Sequence, residues 1–459
     1  MSHKSAVCRN DFGQKTQDFI ATNGNHLNFA SRTKPQKQRV MKKDFFYAVM
    51  MVMAVLMTAC SSDDDMMGAD STTRGSNQMG SEKTVLIYMA GRNNLSDTLK
   101  MDFNEIKIGS QHISDKQSLL VFVREYDGAV EPWLARIKNG EVTDSVSLSD
   151  MGIRSSDGEN RASDPAVMEG VMQYAFSHYP ATKGEYGLVL WGHGSGWLMQ
   201  EEVNQPCTRA FGSDYGSYRY SHDERWINIP TLAQILKSMP HLKFIMADCC
   251  NFMCLENLYE LRNVCDYIIG LPAEVPDQGA PYYDIVPDLF ADGPFYTTII
   301  DKYYKSVQGC LPLTAVKTSE MENLAQATRQ AMLAVAEKIG NSYADMTGLI
   351  HYYYTDKRFC FYPEYNIFYD AGDFFLTHAP LNVYQQWRKA LEQAIVDCRM
   401  ATQWDTDKPW RLVYSDFTVT KEKFHGVSMF VPQNPSGGNY AIYNENIQQM
   451  AWWKETCAK

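Results

Sequence analysis

The chain has 459 residues, 45% hydrophobic and 21% charged, with a formal net charge of −11. This composition excludes disordered and fibrous classes. With no long Lys/Arg run beyond the first 45 residues it also carries no electrostatic footprint for nucleic acid. At about 150 residues per domain the length fits two or three domains, or one elaborated α/β domain with an appendage.

The first informative segment is MKKDFFYAVMMVMAVLMTAC, residues 41–60. Lys42 and Lys43 precede an apolar run of 15 residues, Phe45 to Ala59. A bilayer span needs about 20 residues, so this run is short for a transmembrane anchor and matches a signal-peptide core. Met57-Thr58-Ala59-Cys60 resembles a bacterial lipobox, in which the cysteine is lipidated and becomes the mature N-terminus. The expectation is translation from Met41, with residues 1–40 not translated, a signal peptide over 41–59 and lipidation at Cys60. A flexible polar tether is expected over 60–82, and acidic Asp63 to Asp65 behind the cysteine loosely resemble a surface-export signal of Bacteroides-type lipoproteins. The implied location is the cell envelope of a Gram-negative bacterium, lipid-anchored at the outer membrane or cell surface.

Beyond the tether the pattern changes. TVLIYMAG (84–91) and SLLVFVREYDG (118–128) read as buried strands, with a helix between them from Asp97 to Ile108. WLARIKNGEV (133–142) predicts a hairpin turning at Asn139-Gly140. Ser163 or Asp164 caps a helix that carries Pro165 in its first turn and runs to about His178. EYGLVLWGHGSGW (185–197) is a strand entering a glycine-rich loop, and 199–228 is polar, tyrosine-rich and aperiodic. A helix at 230–239, a strand HLKFIMADCC (241–250), a helix from Asn251 to Arg262 and a strand CDYIIGLPAE (265–274) follow. Alternation of apolar runs with helices predicts a mostly parallel sheet covered on both faces. The core is expected over 83–295, and 296–459 as a C-terminal α+β part. That part holds helices near 298–308, 319–340 and 382–400 and strands at 312–317 and 424–432.

Active sites of open parallel sheets lie in loops at the carboxyl ends of strands. Two strands end on reactive side chains here: one delivers His193, the other Asp248, Cys249 and Cys250. A thiol with an ordinary pKa of about 8.5 needs help to act as thiolate. A helix N-terminus behind Cys250 would favour negative charge, and a facing imidazole would move the proton. The N–H groups of Gly194 and Cys250 are candidates for an oxyanion hole. The eleven cysteines contain no CxxC, and their pairing is not deducible.

Trp191-Gly192-His193-Gly194-Ser195-Gly196-Trp197 resembles the histidine motif of the clostripain family of cysteine peptidases. Asp248-Cys249-Cys250, with Glu256 six residues beyond, resembles its nucleophile motif, in which Ala stands at the Cys249 position and Leu-Met at Asn251-Phe252. TVLIYMAGRNNL (84–95), residues 160–165 and GVSMFVP (426–432) add supporting similarity. The resemblance implies a caspase-like three-layer sandwich, a mostly parallel sheet flanked by helices with a C-terminal α+β extension completing it. It also implies a His193–Cys250 dyad, and register with Asp248 and Glu256 selects Cys250 over Cys249. The 57 positions from His193 to Cys250 are near the caspase separation of about 50.

The same resemblance implies cleavage of protein or peptide substrates after Arg, sometimes Lys, which requires a carboxylate in the specificity pocket. Asp248 is the motif candidate, and Glu274 and Asp277 are candidates by position. Self-cleavage between 199 and 228 would fall at Arg209, Arg219 or Arg225. No cofactor is required by the sequence, and calcium enters by resemblance only, without an EF-hand-like loop. Two other readings are a serine hydrolase, which lacks its G-x-S-x-G elbow, and a non-catalytic surface binding module on the same fold.

Overall fold

A computed structural model describes residues 81–459 apart from 126–129, 201–209, 218–222, 277, 353–366, 403, 405–416, 437–439 and 458–459. The segment 41–59, Met41, Cys60, Arg209, Arg219 and Asp277 lie outside the described residues.

The first apolar run is β1 (Ser81–Ala90). Val85, Ile87 and Met89 enter the core on one face of the sheet, while Leu86, Tyr88 and Ala90 enter the core on the other. A strand buried on both sides shows no polar alternation, which is why it reads as a continuous run. After α1 (Ser96–Ser110) come β2 (Gln117–Arg124), β3 (Trp133–Lys138) and β4 (Glu141–Ser147). Asn139 and Gly140 both take positive φ, 51° and 83°, the turn whose twist matches a two-residue hairpin. In α2 (Pro165–His178) the Asp164 carboxylate accepts from the N–H groups of Ala166 and Val167, so Asp164 is the cap.

The chain continues through β5 (Ala181–Gly192), β6 (Phe211–Asp214), β7 (Arg225–Ile227), α3 (Ile229–Leu236), β8 (Leu242–Asp248), α4 (Leu255–Glu260) and β9 (Cys265–Gly270). Then come α5 (Tyr282–Ile285), α6 (Phe295–Ser306), β10 (Leu313–Lys317), α7 (Met321–Ile339), β11 (Tyr369–Asp370), α8 (Ala371–His378) and α9 (Leu381–Ala394). The last elements are β12 (Ile395–Arg399), β13 (Ser428–Met429), α10 (Tyr440–Asn446) and α11 (Ala451–Thr456).

Nine strands form one sheet in the order β12-β10-β9-β8-β5-β1-β2-β3-β4. The five central strands from β9 to β2 are parallel, and two antiparallel strands extend each edge. Residues of α2, α3, α4, α7 and α9 cover one face, and residues of α1, α5 and α6 cover the other. The C-terminal part supplies β10 and β12, so it completes the same sheet as the core.

Three local expectations change. The helix expected through residue 400 stops at Ala394, and Ile395–Arg399 pairs with β10. Its β-branched Ile395 and Val396 suit the pleated sheet edge, whose ladder outcompetes one more helical turn. The segment 199–228 contains the antiparallel pair β6 and β7, hidden from periodicity because each strand is so short. Finally, no helix starts at Asn251. Asn251 has a φ of 55°, its N–H donates to Ala273 O (3.0 Å), and Met253 N–H donates to Leu271 O (3.0 Å). Bonds reaching across to the chain after β9 cannot also close a helical turn, so the helix is delayed to Leu255.

The late strand props this turn from below. Ser428 N–H donates to Met253 O (3.0 Å), and Phe430 N–H donates to Glu256 Oε1 (2.7 Å). Burial pushes the Glu256 carboxyl up to about 7, against the opposing bond from Phe430. The strand is in turn held by buried Asp370, which caps α8 and accepts from the N–H of His425 (2.8 Å) and the hydroxyl of Tyr352 (2.5 Å).

Candidate active site

β5 and β8 are parallel neighbours, with Leu190 opposite Ala247 and Trp191 opposite Asp248. His193 and Cys250 each lie two residues past the last register pair, so they leave the sheet side by side at its carboxyl edge. The parallel register therefore brings the two motifs to neighbouring strand ends.

The histidine loop is held as a short strand. Gly212 N–H donates to His193 O (2.9 Å), and Ser195 N–H donates to Ala210 O (2.9 Å). These bonds flank Gly194, so its own N–H points away from the strand at 210–212. Gly194 also lies against the nucleophile turn. A Cβ there would come within 2.9 Å of Cys250 O and 3.0 Å of Cys249 Sγ, so only glycine permits this approach. Gly196 has a φ of 61° and packs on Phe368, where a Cβ would meet the ring at 2.5 Å.

The two adjacent thiols differ in their surroundings. Cys249 is buried, and burial first, with the charges at Cys250 and Asp248 adding, pushes its thiol well above the ordinary value. A buried thiol of that kind is inert. Cys250 is half-exposed, and Val275 N–H donates to its Sγ at 3.2 Å. An N–H aimed at sulfur stabilises negative charge there. This bond takes the place of the helix N-terminus expected from the sequence: α4 begins five residues on, at Leu255, too far to act on Cys250. Val275 itself gave no signal in the sequence, because a backbone donor is independent of side-chain type.

Asp248 ends β8 and is buried. Its Oδ2 accepts from Ala280 N–H (3.0 Å) and Tyr282 hydroxyl (2.9 Å), and its Oδ1 from Tyr303 hydroxyl (2.9 Å). Burial pushes the carboxyl up, opposed by those three donors. All three are neutral, and among the described residues no cation pairs with Asp248. Glu274 is half-buried beside Val275, and Arg225 lies in β7 opposite Asp214 with Nε donating to Asp223 (3.2 Å).

Two neighbours of His193 were not anticipated. Its Nε2 is 2.7 Å from Asn94 Oδ1, and the Trp226 ring centroid is 6.1 Å from that of the imidazole. Asn94 lies within the supporting motif at 84–95, so the segment was recognisable though the contact was not.

Among the described residues no cluster of three or more His, Cys, Asp or Glu side chains is placed to hold a metal ion. No helix among them is long and apolar enough to cross a membrane. No disulfide joins the seven cysteines of the described residues to one another.

The clostripain family model matches residues 87–458. A secreted C11 cysteine protease from Bacteroides thetaiotaomicron, solved with an irreversible peptide inhibitor, is similar at 27% identity and a TM-score of 0.63, covering 82% of this chain and 99% of its own. An inactive zymogen C11 protease from Parabacteroides distasonis shares the fold at 24% identity and a TM-score of 0.64, covering 82% and 98%. A comparison with curated proteins gives no match. With its motifs on adjacent strand ends and its match spanning β1 to α11, the chain belongs to the clostripain family and is a cysteine peptidase.

Proposed function

We propose that this peptidase cuts protein and peptide substrates after Arg or Lys, with Cys250 as nucleophile and His193 as proton carrier. The thiolate attacks the scissile carbonyl, and the imidazole gives its proton to the leaving amine. Water then hydrolyses the thioester. The N–H groups of Gly194 and Cys250 receive the oxyanion.

The observation that carries the basic preference is Asp248. A carboxylate has about four lone-pair sites, and three are taken here by neutral donors. A buried carboxylate without a cation lacks charge compensation, and a substrate guanidinium or ammonium supplies it. A positional peptide library, digested with and without calcium, should show cleavage confined to Arg and Lys before the cut. Asp248→Asn should lower kcat/KM on Arg substrates by about 10- to 100-fold, the worth of a hydrogen bond to a charged group. Cleavage without a basic preference, or a full preference surviving in Asp248→Asn, would remove Asp248 from the pocket.

Self-activation by cleavage between 199 and 228 belongs to the same reading. Arg225 is engaged in strand pairing, which favours Arg209 and Arg219 as the processed bonds. The lipobox-like Met57-Thr58-Ala59-Cys60 supports an envelope location through an acylated Cys60. Cys60→Ser should move the protein from the membrane to the soluble fraction, because acyl chains each contribute about 0.8 kcal/mol per buried CH₂. An unchanged membrane fraction would count against the anchor.

A further inference from the structure

The imidazole of His193 has two nitrogens, and its neutral form carries one proton. Which nitrogen holds that proton decides whether the ring can act as base toward a given atom. In this structure Nε2 is 2.7 Å from Asn94 Oδ1. An amide oxygen has lone pairs and no proton, so Nε2 must be the donor. Nδ1 is then the nitrogen left with a lone pair in the neutral ring.

The placement of Asn94 follows from the sheet. β1 and β5 are parallel neighbours with Ala90 opposite Gly192, so the turn after β1 and the histidine loop emerge together. That turn is fixed by its other residues. Asn93 is buried, its Nδ2 donates to Ala90 O (3.0 Å) and Ser213 O (2.7 Å), and its Oδ1 accepts from Leu95 N–H (2.8 Å). Arg92 Nε donates to Gly216 O (2.6 Å), and Gly91 N–H donates to Arg124 O (2.9 Å). Asn93 thus anchors the backbone, while Asn94 is exposed and spends its side-chain oxygen on His193.

We propose that Asn94 is a positioning residue for the peptidase reaction: it accepts the Nε2 proton of His193, fixes the ring's tautomer and plane, and leaves Nδ1 as the nitrogen that exchanges a proton with Cys250. This rests on the reading of His193 and Cys250 as the catalytic pair. The balance is simple. Nδ1 takes the thiol proton, giving thiolate and imidazolium, and Nδ1–H later protonates the leaving amine. The Nε2–H bond to Asn94 persists throughout, so the ring keeps its aim in both protonation states.

The test uses the full mature chain and two readouts. In Asn94→Ala, kcat on a small Arg-amide substrate should fall about 10- to 100-fold, at most the low end of the about 10²- to 10⁴-fold that proton transfer supplies, since the base itself remains, with KM changed less than about twofold. Asn94→Asp keeps an acceptor oxygen at the same reach and should recover most of the lost kcat. Ring-nitrogen NMR of histidine-labelled protein should show His193 as the Nε2–H tautomer in the parent and a mixture in Asn94→Ala. A kcat unchanged in folded Asn94→Ala, a fall shared equally by Asn94→Asp, or a neutral parent ring that carries its one proton on Nδ1 would overturn the proposal. The tautomer is read without turnover. A parent enzyme that cleaves no substrate would therefore refute the assigned peptidase reaction, while the NMR would still decide the role of Asn94.

Discussion

Cys250→Ala should reduce peptide hydrolysis by at least about four orders of magnitude, because the proposed reaction forms its thioester on the Cys250 sulfur. His193→Ala should lose about as much, and the double variant no more than either. In the proposed reaction nucleophile and base act as one unit, so removing either abolishes the shared step. Cys249→Ala is the informative companion. Its thiol is buried beneath Gly194 and held protonated, so it should keep activity within about tenfold and lose only about 1 kcal/mol of stability. Initial rates on an Arg-amide substrate, with titration by a thiol-alkylating reagent to count active sites, separate the three. Substantial turnover by Cys250→Ala, or loss in Cys249→Ala equal to that of Cys250→Ala, would reassign the nucleophile.

The second large effect concerns stability. Asp214 ends β6 and is buried, with its Oδ2 accepting from Arg124 Nε (3.3 Å) and Ala162 N–H (2.8 Å) and its Oδ1 from Gly216 N–H (2.8 Å). Arg124 is buried at the end of β2. Asp214→Ala would strand that guanidinium charge and orphan two backbone donors, at a cost of about 3–5 kcal/mol. Total stability is only about 5–15 kcal/mol, so the variant should be marginal. Arg124→Ala combined with Asp214→Ala should lose less than the sum of the singles, since the stranded charge is gone. Denaturant unfolding of the four proteins measures this. A loss below about 1 kcal/mol for Asp214→Ala would show the pair to be dispensable. The consequence reaches the site, because β6 continues the strand whose Gly212 and Ala210 hold the histidine loop. Partially active survivors should therefore show a lower kcat as well as a lower melting temperature.

Much of the site was legible in the residues. The strands ending on Trp191 and Asp248 read as buried runs because both faces of a central parallel strand are covered, and the side chains beyond them are those that reach the site. The choice of Cys250 over Cys249 followed from spacing to Asp248 and Glu256, and in the structure Cys250 is half-buried where Cys249 is buried. Less legible were the backbone contacts of the Cys250 sulfur. A strand ending in polar residues ahead of Leu255 looks like a helix start, but the left-handed Asn251 and the bonds to Leu271 and Ala273 intervene. Those partners lie some twenty residues away in the chain, beyond the reach of local propensity.

The sequence by itself determined the alternation of strands and helices, the two loops that carry His193 and Cys250, and the family these loops resemble. These are properties of local pattern, set by the period of apolar residues and by glycine at crowded turns. Only the tertiary structure decided which strands are neighbours, and hence that Trp191 and Asp248 share a register. It also decided that Val275 supplies the N–H on sulfur, that Asp248 is held by neutral donors, and that Asn94 meets the imidazole. Each of these contacts joins residues distant in the chain, and hydrogen bonds of that kind form only after the sheet has brought their strand ends together.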